Sequence, residues 1–442
     1  LLPATQNPSG AAGSISRHHA LGPNLRFGLD CHDVPSIFRS KTMKLARTLW
    51  AGATNGAWLT ESRIAHYPLL FVLSTGIAAA WLVWLSGLMP KGFMPGGDFL
   101  CYWAGAQLAG EGRALDVYNA EILVALEQEI AGHTEFAFPF YYPPIYLLFI
   151  YPLQWAASYG WGMALWLGLT GAGYLAALWQ ACPGWRTVWA GAASPMALVV
   201  FLTGQNGFLS AALLGGGVGL LFSRPVLAGV LLGAMTYKPH LGILVPIALI
   251  AARQWKAFAA ATATSLILAG IATIWFGAEV WPAFIASIPR AMGHVDSGLL
   301  PDWKTQSFFA AARMAGLPIG LAQAVQAVAM VLLAGLVAWV WSRPVAWRLK
   351  AAILLLAAPI AAPYAMDYDY AVAAVGLAFW VRHGLERGFL SHEKTYMGVL
   401  WVAPFPLFAR YAARFTQVIP LPWLVAGALL LAVRRVREDL RR

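Results

Sequence analysis

Long apolar runs alternate with short polar interruptions along almost the whole chain. The first clear run covers residues 67–89. Others fall at 142–157, 161–181, 187–202, 206–222, 225–237, 239–252, 257–276, 317–341, 349–363, 369–382, 396–411 and 418–433. A bilayer-spanning helix needs ~20 mostly apolar residues, so this pattern predicts an all-α polytopic membrane protein with about 11–13 membrane segments. Two longer polar stretches, 90–141 and 277–316, interrupt the runs and are predicted to be large loops on one side. Within the first, residues 98–110 and 120–131 read as short amphipathic helices lying on the surface. Run 142–157 is short and broken by prolines, and reads as a re-entrant or surface segment.

Basic residues orient the pattern. Lys41, Lys44, Arg47 and Arg63 precede the first run, and Arg186, Arg224, Arg253, Arg343, Arg382 and Arg387 end or begin later ones. By the positive-inside rule these ends are cytoplasmic, and both large loops are outside. The resulting layout is a cytoplasmic segment 1–62, a membrane core 63–276 containing the outer loop 90–141, a second outer loop 277–316, and C-terminal helices with a basic tail, 317–442. Residues 1–42 lack apolar periodicity and contain many turn formers, so they are expected to be disordered.

Composition agrees with a membrane solvent. Hydrophobic residues make up 60% and charged residues 11% of the 442, against roughly 25% charged in an average soluble domain. The net charge of +11 follows the ends of apolar runs and reads as membrane orientation, with no nucleic-acid partner expected. Arg434, Arg435, Arg437, Arg441 and Arg442 read as an anchor beside anionic lipid. Cys31, Cys101 and Cys182 lie far apart with no metal spacing.

Polar groups at run ends are functional candidates, because burying them beside lipid is costly. They are Asp98, Gln205 with Asn206, Lys238 with His240, and Tyr364 with Asp367 and Asp369; the second loop adds Arg290 and His294. Each has a structural counterpart: Asp98 as a helix N-cap, Gln205–Asn206 as a solvated turn, Lys238 as a snorkelling cation, the aspartates as caps.

Several segments together resemble the family-87 glycosyltransferases: "GGDFLCYWAGAQLAGEGRALDVYNAE", "FPFYYPPIYLLFIYPL", the Gly-Gln-Asn turn, the "AGVLLG" run, the Lys-Pro pair, and "APYAMDYDY". The likeness covers roughly residues 66–385, and its specificity lies in the order and spacing of these pieces. It implies the GT-C fold and transfer of a sugar, usually mannose, from a polyprenyl-phosphate donor to a lipid or glycan acceptor. By the resemblance this happens on the non-cytoplasmic face, expected to be the periplasmic or exterior side of a bacterial inner membrane. Asp98 matches the acidic residue that GT-C enzymes use after the first helix. Where some relatives carry histidine in the late loop, this chain has Tyr364, Asp367 and Asp369.

Such a reaction needs a base for the acceptor hydroxyl and cations for the leaving phosphate. Asp98 is expected to be the base. Lys238, His240, Arg290 and His294 are expected to hold phosphate, with Gln205, Asn206, Tyr102, Tyr364, Asp367 and Asp369 completing the substrate site. Asp367 and Asp369 have Asp-x-Asp spacing outside a nucleotide-sugar context, and neither a metal nor another cofactor is expected. The competing reading is a secondary transporter or flippase, which would show paired broken helices and internal repeats.

Overall fold

A computed structural model describes residues 36–86, 96–132, 138–296, 304–404 and 421–441. Contacts divide the chain into a unit of residues 1–50 and a main unit of residues 51–442. Helices α1 (Ser36–Asn55) and α2 (Glu61–Ser86) come first. The expected disorder of residues 1–42 meets helix from Ser36 onward, where Lys, Met, Leu, Ala and Arg are good helix formers; residues 1–35 lie outside the described ones.

Three short helices follow, α3 (Leu100–Gly110), α4 (Ala120–Ala131) and α5 (Pro144–Ile150), and then the long α6 (Tyr159–Ala181). The expected surface position of 98–110 is corrected: Leu100 to Ala106, Leu108 and Ala109 are all buried. Ala104, Gly105, Ala106 and Ala109 are small enough on every side for neighbours to close around α3, which packs on α4 and α5. Helix α4 behaves as an amphipathic helix should. The Asn119 side chain caps it by accepting from the Glu121 and Ile122 amides, and Leu123 and Glu127 point inward. The first half of the proline-broken 142–157 run is buried too, with Ile145, Tyr146, Leu147 and Ile150 covered, while Trp155 near its end is exposed. Irregular backbone in a membrane protein is tolerated where protein surrounds it.

Next come α7 (Trp185–Ala192), α8 (Pro195–Thr203), α9 (Gly207–Leu220), α10 (Pro225–Ala234), α11 (Val245–Ala251) and α12 (Trp255–Phe276). Then α13 (Val280–Asp296), α14 (Phe308–Met314), α15 (Ile319–Trp341), α16 (Trp347–Ala361), α17 (Ala371–Arg387), α18 (Glu393–Val402) and α19 (Leu421–Arg441) complete the chain. Among the described residues α6, α12 and α15 are long and apolar enough to cross a membrane, and α7–α8, bent by 55°, would make a fourth as one broken span. Pro225 and Pro246 at helix starts and the breaks at 204–206 and 235–244 leave α9, α10 and α11 at 14, 10 and 7 residues. The outer face of α12 exposes Leu266, Ile267 and Ile274, as lipid contact requires.

Packing centres on α16, whose residues from Ala351 to Ala361 are all buried between α15, α17 and α19. Helix α10 lies against α12 through Gly229 and Gly233, spaced four apart; a Cβ on either would strike the Ala257 or Ala261 carbonyl. Small residues at this spacing let two helix backbones approach closely. At the end of α17, Arg435 bonds Glu393 twice, at 3.0 and 2.6 Å, and the Gly388 carbonyl at 2.6 Å. Arg435 therefore turns inward on the apolar face of α19 and departs from the expected lipid-facing tail.

Candidate active site

Asp98 is placed by two glycines. Gly96 and Gly204 both adopt φ near +68°, a left-handed conformation that only glycine takes without strain. The Gly96 amide donates to the Leu202 carbonyl at 3.2 Å, and a Cβ on Gly204 would collide with Phe99. The two turns thus press together and bring Gln205 beside Asp98, whose Oδ2 accepts from Gln205 Nε2 at 3.0 Å.

Lys304 Nζ donates to that same Oδ2 at 2.9 Å across 206 residues of sequence. Its backbone is laced to the late loop. The Gln306 amide donates to the Ala365 carbonyl at 2.7 Å and the Asp367 amide to the Lys304 carbonyl at 3.1 Å. Tyr370 donates to the Gln306 carbonyl at 2.7 Å. The N-cap alternative for Asp98 is set aside by this geometry: no side chain caps the turn at Gly97–Phe99 or the start of α3. Among the described residues no hydrogen bond reaches Asp98 Oδ1.

Behind Gln205 runs a buried polar chain. Tyr102 donates to Gln205 Oε1 and pairs with the Tyr142 hydroxyl at 2.9 Å. Asn206 Nδ2 donates to Tyr102 at 3.1 Å, and Asn206 Oδ1 accepts from Lys238 at 3.1 Å. Lys238 ends the chain on Asp369 Oδ1 at 2.6 Å, with the Tyr368 ring face 4.6 Å from its ammonium. Asp369 also accepts the Met366 amide through Oδ2 at 3.0 Å, so one carboxylate both caps a turn and holds a buried lysine. Asp367, also buried, accepts the Tyr368 amide at 2.9 Å.

These groups meet at a cavity of about 360 Å³, lined by Asp98, Gln205, Lys238, His240, Lys304 and Tyr364 with a largely aromatic wall. Part of its lining comes from helix ends: Gln205 between α8 and α9, Tyr237 and Lys238 after α10, and Met366 and Tyr368 before α17. Burial pushes the Lys304 ammonium down, but Asp98 and Asp367 more than offset it and hold the group above the usual lysine range. Burial, aided by the Lys238 charge, lowers His240 to about 4. His240 lines the cavity beside Lys238, where burial disfavours its charged form.

The structure brings together Asp98, Tyr102, Gln205, Asn206, Lys238, His240, Tyr364 and Asp369 of the residues singled out from sequence, with Asp367 behind them. Arg290 stands exposed on α13 and does not line the cavity, though its charge reaches Tyr141 at the rim. His294 lies on α13, with its side chain outside the described residues. Lys304 was missed: it is one of several charges in a polar loop, and no local pattern marks it.

A carboxylate with one tethered oxygen thus stands beside two lysines in an aromatic cavity. A family model for glycosyltransferase family 87 matches residues 140–363, half of the chain. The chain belongs to glycosyltransferase family 87. No curated protein and no solved structure matches it. The family-87 match encloses Gln205, Asn206, Lys238, His240 and Lys304, while Asp98 and Asp369 lie outside it and are tied to it by the bonds above. As a family-87 glycosyltransferase the protein takes a sugar donor and an acceptor, and its apolar helices give it a lipid bilayer to sit in.

Proposed function

We propose that this enzyme has the GT-C fold and transfers a mannosyl group from a polyprenyl-phosphate donor to a hydroxyl of a lipid or glycan acceptor, with Asp98 as general base. The observation that carries this reading is the state of Asp98: Oδ2 is held by Gln205 and Lys304, and Oδ1 faces no protein donor among the described residues. In the reaction the acceptor oxygen bonds the anomeric carbon and its proton passes to Asp98 Oδ1. The anomeric carbon–oxygen bond to phosphate breaks, its electron pair leaves on polyprenyl phosphate, and the added negative charge meets the Lys304 ammonium. Lys238, 3% exposed and bonded to Asp369 and Asn206, holds the site together behind Lys304. The aromatic wall suits the faces of a sugar ring.

The non-cytoplasmic location is supported by where charge lies along the helices. Helices α6, α11, α15 and α17 start at the cavity end and are followed or finished by Arg186, Arg253, Arg343 and Arg387. Helix α10 runs from Arg224 toward the cavity. Basic residues therefore gather at the end opposite the site, which the positive-inside rule assigns to the cytoplasm.

The test is to incubate purified protein with labelled polyprenyl-phosphate mannose and a membrane lipid extract. A labelled product that forms with this donor, and not with a nucleotide sugar, supports the reading. Transfer only from a nucleotide sugar overturns it.

A further inference from the structure

We propose that Asp98 and the donor phosphate compete for Lys304, so that arrival of the donor draws this lysine off the base. The inference rests on the function proposed above and adds an exchange step to it. Two lysines border the cavity, and their situations differ. Lys238 is committed, with Asp369 at 2.6 Å, Asn206 at 3.1 Å and its side chain 3% exposed. Among the described residues Lys304 makes one ion pair, at 2.9 Å to Asp98, and its side chain, which lines the cavity, is 19% exposed.

The scaffold permits the exchange. The Lys304 carbonyl accepts the Asp367 amide, and two residues on the Gln306 amide donates to Ala365, so the backbone is fastened and only the flexible four-carbon stem has to move. When it leaves, Gln205 still holds Asp98 Oδ2 at 3.0 Å, and the carboxylate keeps its direction. One ammonium cannot fully serve two anions. Each therefore weakens the other's hold on it, and the coupling is reciprocal. The empty enzyme keeps its base neutralised, and the donor both occupies the phosphate site and leaves the carboxylate ready for the acceptor proton.

This competition predicts an effect that a passive phosphate site would not give: removing the Asp98 charge should tighten donor binding. The probe is polyprenyl phosphate without sugar, titrated calorimetrically into the full chain in detergent micelles. Asp98→Asn should bind it on the order of tenfold more tightly than the natural protein, a coupling within the usual range. Lys304→Met should bind it about tenfold more weakly. In the Lys304→Met background, Asp98→Asn should change affinity by less than about twofold, since the shared cation is gone.

Unchanged or weaker binding by Asp98→Asn overturns the exchange, and if Lys304→Met still weakens binding the donor reading stands. Equal tightening in both backgrounds means simple charge repulsion and also overturns the exchange. No binding by the natural protein removes the donor class and the exchange together. Unfolding midpoints of each variant check the fold, with Lys304→Gln used if Lys304→Met does not fold.

Discussion

Replacing Lys238 with methionine keeps its length and apolar stem and removes its charge. The structure sets the size of the effect. Lys238 and Asp369 are 2.6 Å apart, with side chains 3% and 0% exposed. Breaking a buried pair by deleting one partner typically costs ~3–5 kcal/mol, because the surviving charge is left in a medium that cannot solvate it. Two features adjust that figure. Asp369 retains the Met366 amide on Oδ2, which softens the loss, while Asn206 Oδ1 loses its donor, which adds ~1 kcal/mol. The net expectation is about 3–4 kcal/mol. Reversible unfolding in mixed micelles, followed by tryptophan fluorescence, measures it. The double variant Lys238→Met/Asp369→Asn removes both charges and should recover most of the loss. A single variant destabilised by less than about 1 kcal/mol, or a double variant as unstable as the single, would refute the view that Lys238 is held as a buried ion.

Asp98→Asn should lower turnover on the order of 10²–10⁴-fold, the usual worth of a general base, and should also lower the unfolding midpoint because Lys304 loses its ion-pair partner; near-normal transfer would move the base elsewhere. Glu127 is buried on α4, accepts the Phe138 amide at 2.8 Å, and is raised by burial to about 8. A carboxyl raised on folding binds more protons folded than unfolded above its unfolded value of ~4.3. Its contribution is complete at low pH and is lost as pH rises toward about 8. Glu127→Gln should flatten the pH dependence of stability over that window, and an unchanged curve would count against the shift. Gly233→Val forces a side chain into the Ala261 backbone and should cost at least ~1–3 kcal/mol by overpacking, whereas Gly270→Val, with open space around it, should cost much less in the same unfolding assay.

Much of the architecture was legible in the sequence because its physical cause is local. Twenty apolar residues in a row need lipid or a core whatever surrounds them, and Gly96, Gly204, Pro225 and Pro239 mark breaks through their own backbone chemistry. Thus the helical class, the position of the polar stretches and the candidacy of Asp98, Gln205, Lys238 and Asp369 could be read without coordinates. The family resemblance ordered those pieces, and the match over residues 140–363 agrees with it. What local chemistry cannot express is which distant group a side chain meets. Nothing near Lys304 in sequence says that it reaches Asp98, 206 residues away, or that Lys238 is already taken by Asp369, 131 residues away. The burial of α3 is of the same kind, since its small residues suit a crowded core as well as a surface and only the neighbours decide. Charge depends on that packing too: enclosure by protein disfavours the charged form of His240. The sequence by itself determined the elements and the candidate groups. Tertiary structure decided the pairing, burial and charge of those groups, because electrostatic and packing energies depend on distance in space.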